Sequence, residues 1–246
     1  RWVHKYNRRL IFPSSSEVYG MSEDQKFSED NSNFVYGPIH KTRWIYASSK
    51  QLLDRLIYAY GRDEGLNYTI FRPFNWIGPR LDSLEIARVG NSRVLTQFIC
   101  NLIDGKDLLL VGGGAQKRTF TDINDGIEAL MNILLNESAS KMKIFNIGNP
   151  DNVISIKELA HLTRKSFSKI TGVPIHNLPQ IRSVKEEDYY GMGKGFQDIV
   201  LRVPSIKIAM KTLNWKPSID LKQGIDSAIE SFLKDDHSGR TKLKKK

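Results

Sequence analysis

The stretch Leu10-Ile11-Phe12-Pro13-Ser14-Ser15-Ser16-Glu17-Val18-Tyr19-Gly20 decides the fold. Three consecutive apolar residues stopped by a proline and a serine run read as a short strand buried on both faces, the pattern of a parallel sheet covered by helices. Hydroxyls and a carboxylate follow the carboxyl end of that strand, where open α/β sheets form their ligand crevice. Between Arg43 and Gly61 the apolar positions Ile45, Leu52, Leu53, Leu56, Ile57 and Tyr60 recur at three- and four-residue steps without a proline, which predicts an amphipathic helix. Residues 67–71 are β-branched and aromatic and predict a second strand, closed by Pro73 and the turn Gly78-Pro79.

Further along, a helix is expected over about 92–103, and a strand at 108–111 running into the glycines 112–114. A helix capped by Thr121 or Asp122 comes next, then a strand at 144–147. Ser155 and Glu158 form a capping-box pair opening a helix to about residue 170. A loop-rich stretch, 173–203, precedes two short helices, one after Pro204-Ser205 and one over about 219–233. Alternating strands and helices of this kind predict an α/β protein: a partial Rossmann-like, doubly wound parallel sheet with a smaller C-terminal substrate-binding domain. The expected division assigns 1–75 and 119–150 to the sheet domain, 76–118 and 151–234 to the substrate-binding domain, and 235–246 to a basic tail.

The net charge of +10 raises the question of nucleic acid. Its layout argues against that partner. Residues 1–9 carry Arg1, Lys5, Arg8 and Arg9 with no acid, and 234–246 carry six basic residues against Asp235 and Asp236, so both ends hold +4 and only about +2 remains between them. No apolar run approaches a membrane span, and the N-terminus has no signal-peptide core. The lone Cys100 sits in an apolar stretch and forms no intrachain disulfide; it reads as a buried, inert thiol in a reducing, cytoplasmic setting. No His/Cys grouping has metal-ligand spacing, so no metal is expected.

The chemistry centres on Tyr46-Ala47-Ser48-Ser49-Lys50, whose i,i+4 spacing sets a phenol and an ammonium on one helix face. A neighbouring cation favours the phenolate and makes it a base for a substrate hydroxyl. Tyr-x-x-x-Lys alone marks many surface helices; joined to the strand-serine segment about thirty residues earlier, it is far more specific.

With Arg72-Pro73-Phe74-Asn75 after the second strand, the sequence resembles the extended short-chain dehydrogenase/reductase family. Within that family Ser15-Ser16-Glu17-Val18-Tyr19-Gly20 is similar to the UDP-glucuronate decarboxylase branch. Residues 71–82, 116–123 and 195–198 extend the match to the branch that acts in polymyxin resistance. The resemblance runs from about residue 9 to about 233. It implies oxidative decarboxylation of UDP-glucuronate with NAD to UDP-4-keto-pentose, for 4-amino-4-deoxy-L-arabinose modification of lipid A. It also implies a homo-oligomer in the intact protein. By that resemblance Tyr46 and Lys50 act at the sugar C4 hydroxyl and the cofactor, with Ser15 as the hydroxyl partner of the tyrosine. Glu17 and Arg202 fill acid/base roles, and Ser16 orients them or the carboxylate. Arg43, Asn75, Lys117, Arg118 and Phe196, with Ser15 and Ser16, bind substrate. Phe196 stands where close relatives carry tyrosine.

No G-x-G-x-x-G turn with a following acidic residue occurs in the 246 residues, and the glycines at 112–114 lack that spacing. In the resembled family this segment precedes the strand at residue 10. The expectation is therefore of a chain that begins partway through its sheet, exposes an apolar edge there, and alone neither binds NAD nor turns over. A UDP-xylose synthase-type decarboxylase and a non-catalytic remnant stand as alternatives.

Overall fold

The computed structural model describes residues 2–190 and 197–236. Its centre is a parallel sheet of three strands, Leu10–Pro13, Tyr68–Pro73 and Lys143–Ile147, with Tyr68–Pro73 in the middle. Alternation sorts the side chains of the middle strand onto two faces. On one face Tyr68 and Ile70 pack with Ile57 and Leu66, beneath the long helix Arg43–Glu64. On the other, Phe71 joins Phe145 and Ile147 under the helices Ile123–Leu135 and Lys207–Leu213 and under Trp215. The middle strand is buried on both sides, as its continuous apolar run requires. It also extends through Pro73 rather than stopping before it.

The long helix differs in one respect from the sequence reading. Its buried residues are Trp44, Ala47, Asp54, Ile57 and Gly61, whereas Ile45, Leu52, Leu53, Leu56 and Tyr60 are exposed. Small residues decide which face docks. A β-carbon on Gly61 would lie 2.3 Å from the Tyr68 ring, so the helix lies too close to the sheet there for any larger residue.

A second core gathers the helices Val94–Ile103, Ile156–Thr171 and Leu221–Asp235. Cys100 lies inside it, where burial raises the thiol above its usual range. The expected caps form: Asp122 accepts from Asn124 N, and Ser155 and Glu158 make a reciprocal capping box. The described part of the stretch 173–203 is more structured than its composition suggested. Ile181–Val184 pairs in parallel with Leu108–Val111, and Leu201–Arg202 joins Lys117–Thr119 and Val153–Ser155 in a small mixed sheet. Strands this short carry too little periodicity to be seen in sequence. The helix Lys207–Leu213 packs on the central sheet rather than on the second core. Residues 237–246, with most of the basic tail, lie outside the described residues.

Candidate active site

The site begins where strand Leu10–Pro13 ends. Ser15, in extended conformation, accepts a hydrogen bond from Glu17 N at 3.1 Å and so caps the 3-10 turn Ser16–Tyr19. Ser14, Ser15 and Ser16 are all buried. Gly20 closes the turn at φ 58°, and a β-carbon there would meet Val35 O at 1.9 Å.

A buried polar network holds the turn from below. The Arg72 guanidinium donates to Tyr19 Oη at 2.8 Å and to Asp54 Oδ2 at 2.9 Å and 3.2 Å. Tyr19 in turn donates to Asn146 Oδ1 at 2.8 Å. The middle strand, the long helix and strand Lys143–Ile147 are thereby tied to the segment that presents Glu17.

Above the turn, Glu17 meets two guanidiniums. Arg43 Nη2 lies 2.9 Å from Oε2, and Arg202 pairs with Oε1. Burial pushes the Glu17 carboxyl up, but Arg202 and then Arg43 more than offset it and hold it down at about 2. In this arrangement Glu17 is a carboxylate throughout the neutral range and has no proton to give. Arg202 Nη2 also donates to Asn75 Oδ1 at 2.8 Å, while Asn75 Nδ2 donates to Thr119 O at 2.8 Å. Asn75 takes a left-handed backbone, φ 39°, which asparagine tolerates better than most residues. Arg118 lies 2.5 Å from Asp198 Oδ1, and Arg43 Nη1 approaches the same oxygen at 3.2 Å. Burial, then the charge of Arg202, lowers Arg118 to about 10, leaving it a cation at neutral pH.

Arg43, Asn75, Arg118, Asp198 and Arg202 form the polar wall of a cavity of about 280 Å³. Phe98, Val111, Phe120 and Ile156 add apolar lining to the same cavity. A concave site with apolar lining and a few converging charges suits a ligand that is part ring and part anion.

One turn after Arg43 on the same helix, Tyr46 is 51% exposed. Lys50 donates to Pro13 O at 2.7 Å, and its ammonium lies 6.0 Å from the Tyr46 ring centroid. The structure therefore brings Glu17, Arg43, Asn75, Arg118 and Arg202 together, and sets Tyr46 and Lys50 on the helix that carries Arg43. It does not bring Lys117 in. Strand alternation turns Lys117 to solvent while Arg118 faces the cavity, so Lys117 is exposed and outside the lining. Ser15 is engaged as a cap. Phe196 lies outside the described residues. Sequence reasoning missed Asp198, whose signal was an acid inside the stretch 195–198 already singled out. Among the described residues no group of three or more His, Cys, Asp or Glu could hold a metal ion, and no helix is long and apolar enough to cross a membrane.

A parallel sheet flanked by helices, with its polar site at the carboxyl end of a strand, defines a Rossmann-like α/β fold. The chain belongs to the NAD dependent epimerase/dehydratase family, whose model matches residues 1–148. Among solved structures it is similar to the PbgP3 protein from Burkholderia pseudomallei, with TM-score 0.78 and 42% identity over 94% of this chain. The chain spans 65% of that protein's length. The UDP-glucuronic acid 4-epimerase from Bacillus cereus, in complex with UDP-glucuronic acid and NAD, shares the fold at TM-score 0.71 and 21% identity, over 92% of this chain and 62% of that one. The UDP-glucose 4-epimerase from Thermotoga maritima, with UDP-glucose, does so at TM-score 0.73 and 21% identity, over 95% and 66%.

Proposed function

We propose that this chain carries the substrate site of an NAD-dependent UDP-glucuronate decarboxylase. The type is that of the decarboxylase half of the bifunctional polymyxin-resistance protein ArnA, which forms UDP-4-keto-pentose for lipid A modification. One observation carries the reading: three guanidiniums, Arg43, Arg118 and Arg202, line one cavity and, among the described residues, pair with only two carboxylates, Glu17 and Asp198. That cationic excess suits a ligand bearing a diphosphate and a sugar carboxylate. The Bacillus cereus epimerase with UDP-glucuronic acid bound supports the same ligand class. In this reading residues 1–75 and 119–150 serve the cofactor, and 76–118 and 151–234 serve the sugar nucleotide. The enzyme is cytoplasmic and homo-oligomeric.

The donor set fits the nicotinamide-ribose end of NAD, since a half-exposed phenol and an ammonium stand one helical turn apart beside the end of strand Leu10–Pro13. NAD, when bound, supplies the hydride acceptor for sugar C4. Tyr46, with Lys50 beside it, takes the proton of the C4 hydroxyl. The resulting ketone lies β to the C6 carboxylate, so cleavage of the C5–C6 bond releases carbon dioxide and leaves an enolate. Arg202 and Arg43 stabilise that negative charge. Carbon C5 then needs a proton. Glu17 can deliver it only after gaining one, which requires its two arginines to turn toward the substrate carboxylate. Ser16, buried at the start of the turn next to Glu17, has the role of orienting it or the sugar carboxylate in this reading.

Calorimetric titration with UDP-glucuronate and UDP-glucose, followed by a labelled carbon dioxide release assay with NAD, tests the reading. Preferential binding of the acid sugar by this chain is expected, and its decarboxylation once the chain is joined to a G-x-G-x-x-G cofactor-binding segment. In that joined protein Glu17→Gln should abolish release while retaining UDP-glucuronate binding. Wild-type release by that variant would remove Glu17 from the mechanism, and equal affinity for the two sugars would remove the ligand assignment.

A further inference from the structure

The charged wall of the cavity has an order. Arg118, Asp198, Arg43, Glu17 and Arg202 alternate in sign, each carboxylate seated between two guanidiniums. Those seats are the places an anionic ligand would compete for. Asp198 is held through one oxygen: Arg118, Arg43 and Ile199 N, at 2.5, 3.2 and 2.8 Å, all meet Oδ1. Its carboxylate stands in Gln197–Val200, a segment without helix or strand, at the Arg118 end of the row and away from the Glu17–Arg202 pair. Gln197 beside it is anchored independently, its Oε1 accepting from Trp44 Nε1 at 2.9 Å. A second observation that points to a ligand is the buried Arg202 Nε, which has no acceptor among the described residues.

We infer that Asp198 is a built-in counter-ion that holds Arg118 and Arg43 in place and yields them to the diphosphate of an entering nucleotide sugar. This inference rests on the nucleotide-sugar reading above. Three cations and two anions leave the wall with a small positive surplus, whereas a nucleoside diphosphate brings at least two negative charges. In a confined cavity, a carboxylate left between the same arginines would repel that ligand, because weak solvent screening strengthens like-charge repulsion. Rotation of one side chain, with Gln197 still anchored, removes the conflict. Asp198 thus keeps the arginines ordered before binding and lowers affinity for small anions that bring too little charge to displace it. Affinity and selectivity are set against each other at this residue.

The sign of one substitution separates this role from a merely structural one. Asp198→Asn keeps the shape and an acceptor for Ile199 N while removing the competing charge. By calorimetry the variant should bind UDP on the order of threefold tighter than the parent chain, the scale of one partly exposed ion pair. Its affinity should also fall more steeply with added salt. Asp198→Ser should move the same way, and thermal melts confirm that both variants fold. If both variants bind UDP equally to or more weakly than the parent, Asp198 merely positions the arginines and the inference is overturned while the nucleotide-sugar reading stands. If neither the parent nor the variants bind UDP or UDP-glucuronate, both are overturned.

Discussion

Glu29 is a carboxyl placed where a charge is poorly solvated. It is 8% exposed and accepts from Asn146 N at 2.7 Å. Burial pushes it up to about 7, against the pull of the Asn146 bond and of Arg72, with Asp30 adding to the rise. An acid whose folded value lies above its unfolded one binds more protons folded than unfolded, so its contribution is full below about 4.5 and is lost as pH rises through about 7. Glu29→Gln, neutral at every pH and still able to accept from Asn146, should therefore be more stable than the parent at about pH 8, by about 1 kcal/mol or more. The gap should close near pH 4. Urea midpoints at the two pH values measure it. Glu17 is the opposite case, a carboxylate held down by arginines, and the contrast shows what a sequence can and cannot reveal about single residues. Glu17 and Arg202 stood out because the stretches around them resembled a family. Asp198 also lay in a stretch that resembled the family, but its part in the site did not show, because its meaning comes from arginines 80 and 155 positions away in the chain.

At the scale of elements, the long helix was predictable in extent but not in orientation. Its most conspicuous apolar residues, Ile45, Leu52, Leu53 and Leu56, lie outward, and the docking face is set by Ala47, Ile57 and Gly61. Hydrophobic periodicity reports that a helix has an apolar side; close approach to a sheet is reported by small residues, whose signal periodicity ignores. Gly61→Ala tests which effect wins. Helix propensity alone would make alanine stabilising by up to about 1 kcal/mol. The clash with Tyr68, at 2.3 Å from the added β-carbon, should instead destabilise by about 1–3 kcal/mol. A lowered denaturant midpoint is the expected result. Caps were easier to read, because the residues that make them are adjacent in sequence, as Ser155 and Glu158 are. The two- and three-residue strands that carry Arg118 and Arg202 were illegible for the converse reason, since each exists only through a distant partner.

Across the molecule, Asp125 holds the two cores in register. It is 1% exposed on the helix Ile123–Leu135, and its carboxylate accepts from Ser218 N, Ser218 Oγ and Ile219 N at 3.0–3.1 Å. Trp215 Nε1 donates to the Asp125 carbonyl at 3.1 Å, so both ends of the 215–219 connection bond to this one residue, with Asn149 and Asn152 adding bonds to Ile219 O. Asp125→Ala would leave three donors without their acceptor, and should cost about 3 kcal/mol or more. Hydrogen exchange would locate the loss in the final helix, Leu221–Asp235, whose start this connection fixes. The alternation of strands and helices was enough to infer the parallel architecture, while the fastening of one core to the other depended on a buried acid with no sequence signature.

The cavity draws on positions 43, 75, 118, 198 and 202, two of them paired to Glu17, so its last wall arrives only when residues near opposite ends of the described chain have met. No partly assembled intermediate can offer a nucleotide a complete grip. A ligand that fits there would act as a brake on unfolding without hastening refolding, and would lengthen the lifetime of the native form once that form exists.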